Sequence, residues 1–210
     1  MTSARHDPPG GCEISVRQLD DGLTLRELFG NAHPLEIEIG SGRGRFLLQA
    51  AQDNPQVNYV GIERANKFFQ YTRERVEAAG LGNVRLIRAE ADYFLWGYVQ
   101  PGSIRAFHIY FPDPWPKQRH RRRRLLNAEF FARLRDRLEP GGAIHLATDV
   151  REYFDVMLRA GRQCEGLAET TCRAVDPAGA DPESAATHYE RRFYLHGVTI
   201  YRASFARQGG

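Results

Sequence analysis

Short aliphatic and β-branched runs recur along the first 150 residues: LEIEI at 35 to 39, VNYVGI at 57 to 62, NVRLIRA at 83 to 89, IRAFHIY at 104 to 110 and AIHLAT at 143 to 148. Between them the apolar positions fall three and four residues apart, over 43 to 53, 65 to 79, 91 to 98, 124 to 138 and 151 to 163. Near-continuous apolar runs alternating with amphipathic stretches predict strands buried on both faces and helices packed against them, the signature of repeated βα units on a parallel sheet. Gly80 and the Pro140-Gly141-Gly142 turn read as helix stops. The last third differs. Residues 169 to 175 and 193 to 205 read as longer strands separated by the polar loop DPAGADPESAATH, which predicts a closing antiparallel hairpin. The expected fold is α/β: a Rossmann-like, mostly parallel seven-stranded sheet with helices on both faces.

At 210 residues the chain fits one such domain. Residues 1–30 read as a short, partly flexible N-terminal segment, Gly/Pro-rich enough for disorder up to about residue 12, and 31–210 as the domain. No apolar run approaches the roughly 18 residues of a membrane span, and MTSARHDPPGGCE lacks a secretory pattern, so a cytoplasmic protein without membrane partners is expected. Cys12, Cys164 and Cys172 are odd in number and lack metal-ligand spacing, which predicts reduced thiols and no metal. Net charge is only +3, but KQRHRRRR at 117 to 124 gathers six permanent cations in eight residues while the rest of the chain leans acidic. The basicity is local.

Directly after the first strand comes EIGSGRG, residues 38 to 44, with helical spacing beginning at once. Gly40, Gly42 and Gly44 let the backbone turn tightly and approach a ligand where open α/β sheets bind cofactors. Glycines in this spacing also serve a dinucleotide or a plain tight turn. Glu38 favours a different ligand, because a carboxylate is unwelcome beside a pyrophosphate but suits the ammonium of S-adenosylmethionine. Glu63 ends the second strand nineteen residues after Gly44, placed to accept hydrogen bonds from ribose hydroxyls, as it would in NAD proteins too. After the third strand Glu90 and Asp92 follow; either can face an adenine amino group, or cap a helix N-terminus.

The fourth strand leads into FPDPWPK, where three prolines in five residues hold Asp113 and Trp115 in an extended loop at the carboxyl edge of the sheet. Arg119, His120, Arg121, Arg122, Arg123 and Arg124 follow. Such a run is too charged to bury and calls for phosphate, with an RNA backbone as the natural partner and a solvated helix face as the alternative.

Together these residues resemble the bacterial tRNA (guanine-N7)-methyltransferase family over roughly residues 34 to 205. FPDPWPKQRHRRRR is the most specific marker, supported by LEIEIGSGRGRFL, YVGIE, GGAIHLATD and ATHYERR. The resemblance implies a class I methyltransferase fold and transfer of a methyl group from S-adenosylmethionine to N7 of a variable-loop guanine in tRNA. It implies cofactor contacts at Glu38, Gly40, Gly42, Gly44, Glu63, Glu90 and Asp113, with Asp113 also catalytic. Substrate contacts are implied at Lys117, Asp149, Thr187, His188, Tyr189 and Glu190, beside the arginines at 121 to 124. The implied assembly is a monomer or homodimer with tRNA as partner. Glu90 stands where aspartate is frequent, and His188 where lysine is expected. The chain before the first strand is short, where family members often carry a longer basic extension. Other readings of the same residues are a methyltransferase acting on another RNA or a small molecule, a non-enzymatic RNA-binding protein, and an NAD-linked oxidoreductase. The last is disfavoured by Glu38.

Overall fold

In the computed structural model, which describes residues 11–115, 119 and 124–209, five parallel strands carry the molecule: β1 (Leu35–Ile39), β2 (Asn58–Ile62), β3 (Val84–Ile87), β4 (Ile104–Tyr110) and β5 (Leu138–Thr148). Two further strands, β6 (Leu167–Val175) and β7 (Ile200–Arg207), run antiparallel and complete a seven-stranded sheet in the order β3-β2-β1-β4-β5-β7-β6. Every residue of β1, β2 and β3 is buried, which is why these strands read as unbroken apolar runs. From β1 the chain winds outward one way through β2 and β3 and the other way through β4 and β5. That reversal opens a crevice at the carboxyl ends of β1 and β4, where sheets of this type hold ligands.

Helices α2 (Arg45–Asp53), α3 (Asn66–Ala78), α4 (Ala91–Tyr98), α5 (Ala128–Arg137) and α6 (Arg151–Arg162) connect the strands. Leu47, Leu48, Phe69 and Val76 pack on Val57, Tyr59, Val84 and Leu86 to form one apolar cluster. A larger one gathers Ile37, Phe107, Ile144, Phe131, Tyr153 and Phe205. Helix α5 begins at Ala128 rather than 124, because Asn127 caps it by accepting from the Phe130 amide at 2.9 Å. The expected Pro140-Gly141-Gly142 stop lies inside β5, where the register against β4 shifts. A side chain at Gly142 would come within 2.9 Å of two backbone carbonyl oxygens.

The expected strand over 193 to 205 is corrected. Its first part is the end of a helix, α7 (His188–Leu195), and pairing begins only at Ile200. Thr187 starts the helix by accepting from the Glu190 amide at 3.0 Å. Gly197, with φ 67°, stops it: the Val198 amide reaches the Phe193 carbonyl at 2.9 Å and the Gly197 amide that of Tyr194. The antiparallel pairing of β6 with β7 is as expected.

Ahead of β1, the chain from Cys12 to Phe29 lies on the sheet edge. The Ile14 amide bonds the Leu86 carbonyl at 2.7 Å and the Leu86 amide returns to Cys12 at 2.6 Å, while Leu19, Leu25 and Leu28 enter the core. Residues Cys12 to Ile14 cover the exposed edge of β3, and the short helix α1 (Val16–Asp20) that follows meets α4, where Tyr98 donates to Asp20 at 2.9 Å. The disorder expected at the very start falls largely on residues outside those described. Among the described residues no helix is long and apolar enough to cross a membrane, and no three His, Cys, Asp or Glu side chains are grouped as a metal site.

Candidate active site

The crevice is a cavity of about 820 Å³ lined from the glycine loop, the ends of β1, β2 and β4, and the start of α7, a size suited to a cofactor with part of a substrate. Gly40, Gly42 and Gly44 all carry positive φ. At Gly44 the requirement is double, because a Cβ would also stand 2.3 Å from the Thr72 methyl. Thr72 in turn donates to the Gly42 carbonyl at 2.8 Å and pins the loop to α3.

Two glutamates on β1, Glu36 and Glu38, point to the same face and meet opposite fates. Glu36 accepts from Arg105 at 2.8 Å and is bonded to His108 Nε2 at 2.8 Å. Burial works against its charge, but His108 and Arg105 outweigh it and hold the carboxyl below its usual range. Glu38 is 3% exposed and its Oε2 has no partner. Burial, and then the nearby Glu63, push its carboxyl well above the ordinary range. The Ser41 hydroxyl, on the same wall, is also buried and unpartnered. Glu63 accepts from the Gly42 amide at 2.9 Å and the Ala65 amide at 2.7 Å, so it braces the loop while lining the cavity. Glu90 lines it too, 3.3 Å from Arg64. Asp92 turns away to Arg133.

The loop after β4 forms the other wall through Phe111, Pro112, Asp113 and Trp115. Phe111 and Trp115 have φ of 53° and 41°, a left-handed conformation that costs about 1–3 kcal/mol per residue outside glycine. Asp113 is bracketed by these two strained positions. Arg124 restrains the loop by donating to the Pro114 carbonyl at 2.7 Å, lies over the Tyr153 ring, and is only 7% exposed. It is therefore a clamp for the loop and does not fit the phosphate contact expected of it. Lys117, Arg121, Arg122 and Arg123 lie outside the described residues.

One cavity thus gathers the glycine loop, Glu38 with its unpartnered Oε2, and Asp113 of the loop after β4. The family described as "Putative methyltransferase" matches residues 32–203. A tRNA (guanine-N(7)-)-methyltransferase of Geobacter metallireducens is 48% identical over 60% of this chain and 60% of its own length. That of Streptococcus thermophilus is 37% identical over 84% of this chain and 82% of its own. The chain belongs to the tRNA (guanine-N7)-methyltransferase family. In fold it also resembles a solved 16S rRNA methyltransferase, KamB, with a TM-score of 0.65 at 14% identity over 88% of this chain and 92% of that one.

A methyltransferase of this kind takes S-adenosylmethionine as its methyl donor, and the wall of the cavity fits it. The unpartnered Glu38 oxygen suits an ammonium group, and the unpartnered Ser41 hydroxyl suits a polar atom beside it. Ser41 was not singled out from the sequence, although it stands inside the glycine motif. Tyr110 was missed as well. Its hydroxyl is 3.0 Å from His108 Nδ1, and in the neutral ring it donates there while Nε2–H goes to Glu36. His145 stacks on His108 and is pushed down to about 4 by burial and by that neighbour, so it stays neutral.

The four late positions expected to contact substrate divide in this methyltransferase. Thr187, His188 and Tyr189 line the cavity, and Tyr189 is exposed against Phe111 and Phe193. Glu190 does not line it. It is 2% exposed and accepts from Arg202, from Tyr194 at 2.5 Å and from the Ala186 amide at 2.8 Å. Burial disfavours its charge, and these donors outweigh burial and keep the carboxyl low. Asp149 follows β5 outside the cavity lining. Glu190→Ala is expected to lower stability by roughly 3–5 kcal/mol, since it strands Arg202. Urea unfolding checks this through a lower midpoint at unchanged slope; an unchanged midpoint removes Glu190 from the scaffold. Because folding depresses this carboxyl's pKa, its contribution is present at neutral pH and is lost as pH falls through the folded value.

Proposed function

We propose that this protein methylates N7 of a guanine in the variable loop of tRNA, acting in the cytoplasm as a monomer or homodimer. The observation that carries the reading is that Glu38, with its unpartnered Oε2, and Asp113 line one cavity, in a chain whose relatives are named tRNA (guanine-N(7)-)-methyltransferases. S-adenosylmethionine, when bound, supplies a methyl group on a positively charged sulfur. Guanine N7 carries an in-plane lone pair and attacks that methyl without first losing a proton, so no general base is required. The N–C bond forms as the C–S pair returns to sulfur, and the positive charge passes to the purine.

The protein's work is then orientation and electrostatics. Glu38 holds the ammonium, and Glu63, fixed by two amides, accepts from ribose hydroxyls. Asp113 accepts hydrogen bonds from the guanine edge and offsets the charge arriving on the ring. Trp115 and Tyr189 stack on the extruded base, with Phe111 6.0 Å from Tyr189 as backing. Lys117 and the arginines at 121 to 123 hold flanking phosphates, and Asp149, outside the cavity lining, serves the RNA beyond the reacting base.

Incubating the protein with labelled donor and unmodified tRNA, then cleaving at 7-methylguanine, tests the reading. Label at one variable-loop guanine is expected. Label at another base or position would refute the assignment.

A further inference from the structure

Around the mouth of the cavity, on the side of the glycine loop and α3, Arg43, Arg45 and Arg75 gather, and among the described residues none of the three is ion-paired. Arg43 and Arg75 lie on Tyr71, with guanidinium carbons 5.8 and 5.7 Å from the ring centroid. Arg75 donates to the Arg43 carbonyl at 2.8 Å, and Arg45 donates to the carbonyls of Ala185 and Glu183, each at 2.9 Å. These are backbone partners, which orient a guanidinium and leave its net charge in place. The contrast on α3 itself is sharp: Arg73, two residues before Arg75, is met by Glu13 at 3.1 Å and by Glu77. Elsewhere around the mouth Arg191 is ion-paired with Glu183 at 2.6 Å and Arg64 with Glu90 at 3.3 Å. His188 stands within this group with its Nε2 buried and unpartnered. Burial, and then Arg75, Arg43, Arg45 and Arg191, push its pKa down. Tyr71, 43% exposed between two arginines, adds a flat face open to solvent.

We propose that Arg43 and Arg75, spaced by Tyr71, bind a phosphodiester of the substrate RNA at this side of the cavity. This second grip is independent of the basic run at 117 to 124 and rests on the tRNA reading above. The exposed Arg43 guanidinium, held on the Tyr71 ring, and the half-buried Arg75 guanidinium, held by that ring and the Arg43 carbonyl, present pre-oriented donors to phosphate oxygens, and Arg43 also lines the cavity, so the strand held there leads to the reacting base. An anion at this point completes the charge balance that the folded chain leaves open beside His188.

The test uses the full chain with Arg43→Gln and Arg75→Gln, singly and together, and Arg43→Lys with Arg75→Lys as charge-preserving controls. The double glutamine variant is expected to weaken tRNA binding roughly 10-fold near 0.1 M salt and to make the slope of log affinity against log salt shallower by about 1. The lysine pair keeps the slope, and donor affinity by titration calorimetry stays within about 2-fold of wild type. In wild type, RNA binding moves the His188 titration upward, read by its imidazole resonances. An unchanged tRNA affinity and slope in the glutamine pair would overturn the proposal, as would a loss confined to donor binding, which would make Arg43 a cofactor contact. If the wild-type protein neither binds nor methylates tRNA, the parent reading falls and takes this one with it.

Discussion

Asp113→Asn is expected to lower the rate of methyl transfer at saturating donor and tRNA by about 10²–10³-fold, the usual loss when one group aimed at transition-state charge is removed. Asparagine has nearly the same volume and keeps an oxygen acceptor, so the loop geometry survives while the negative charge does not. The rate falls because the purine gains its positive charge only as the methyl arrives, so an anion beside it stabilises the transition state more than the ground state. Thermal stability should change little, since Asp113 is solvent-exposed and the loop is fixed by other groups: the Phe111 amide to Ala147 at 2.8 Å and Arg124 to Pro114. Single-turnover kinetics with pre-bound tRNA isolates the chemical step. A variant with wild-type single-turnover rate would remove Asp113 from catalysis and leave it as part of a rigid corner.

The same loop shows what the sequence reveals and what it hides. Three prolines announce a rigid corner, and its place after the fourth apolar run puts it at the sheet's carboxyl edge. Both are local signals. That Arg124 would fold back on Pro114 and Tyr153 is illegible in a run of four identical residues, because nothing in RRRR marks Arg124 for burial. The strands were legible for a simple reason: LEIEI and its counterparts are buried on both faces, so period and composition agree. Glu36 and Glu38 interrupt that pattern. From sequence they are equivalent, two acids on one face of one strand. Only the neighbouring strand separates them, by bringing His108 and Arg105 to Glu36 and nothing to the second oxygen of Glu38.

Helix α7 was misread because Phe193, Tyr194 and Leu195 have strand-like composition. Aromatic propensity is weak, and here caps at both ends decide the conformation. Thr187 and Glu190 are three residues apart, the spacing of a helix start, and Gly197 marks a stop. Those signals were present in ATHYERRFYLHG. Their consequence is functional, because the helix carries His188 and Tyr189 to the cavity while Glu190 anchors it from beneath.

Glu38→Gln should weaken S-adenosylmethionine binding by at least about 30-fold, as expected when one partner of a buried charge pair is lost, and should leave the free protein as stable as wild type or more so. The two effects have one cause. In the free protein this carboxyl is buried beside Glu63 with an oxygen unpartnered, so its charge is disfavoured and its pKa is raised. The folded state therefore holds a proton that the unfolded chain releases, and the carboxyl lowers stability once pH rises above the unfolded value. Glutamine removes that penalty, so the variant's advantage in melting temperature should appear near neutral pH and vanish as pH falls below the ordinary carboxylate range. The donor's ammonium reverses the balance by favouring the charged form. Binding to wild type should then expel a proton from Glu38, and affinity should fall as pH drops through the raised pKa of the free site. Calorimetry in two buffers of different ionisation enthalpy reads that proton directly: a buffer-dependent heat in wild type that disappears in Glu38→Gln supports the assignment. Equal heats in both buffers for wild type at a pH below that raised pKa would mean that Glu38 does not change protonation on binding, and the ammonium would have to be held elsewhere.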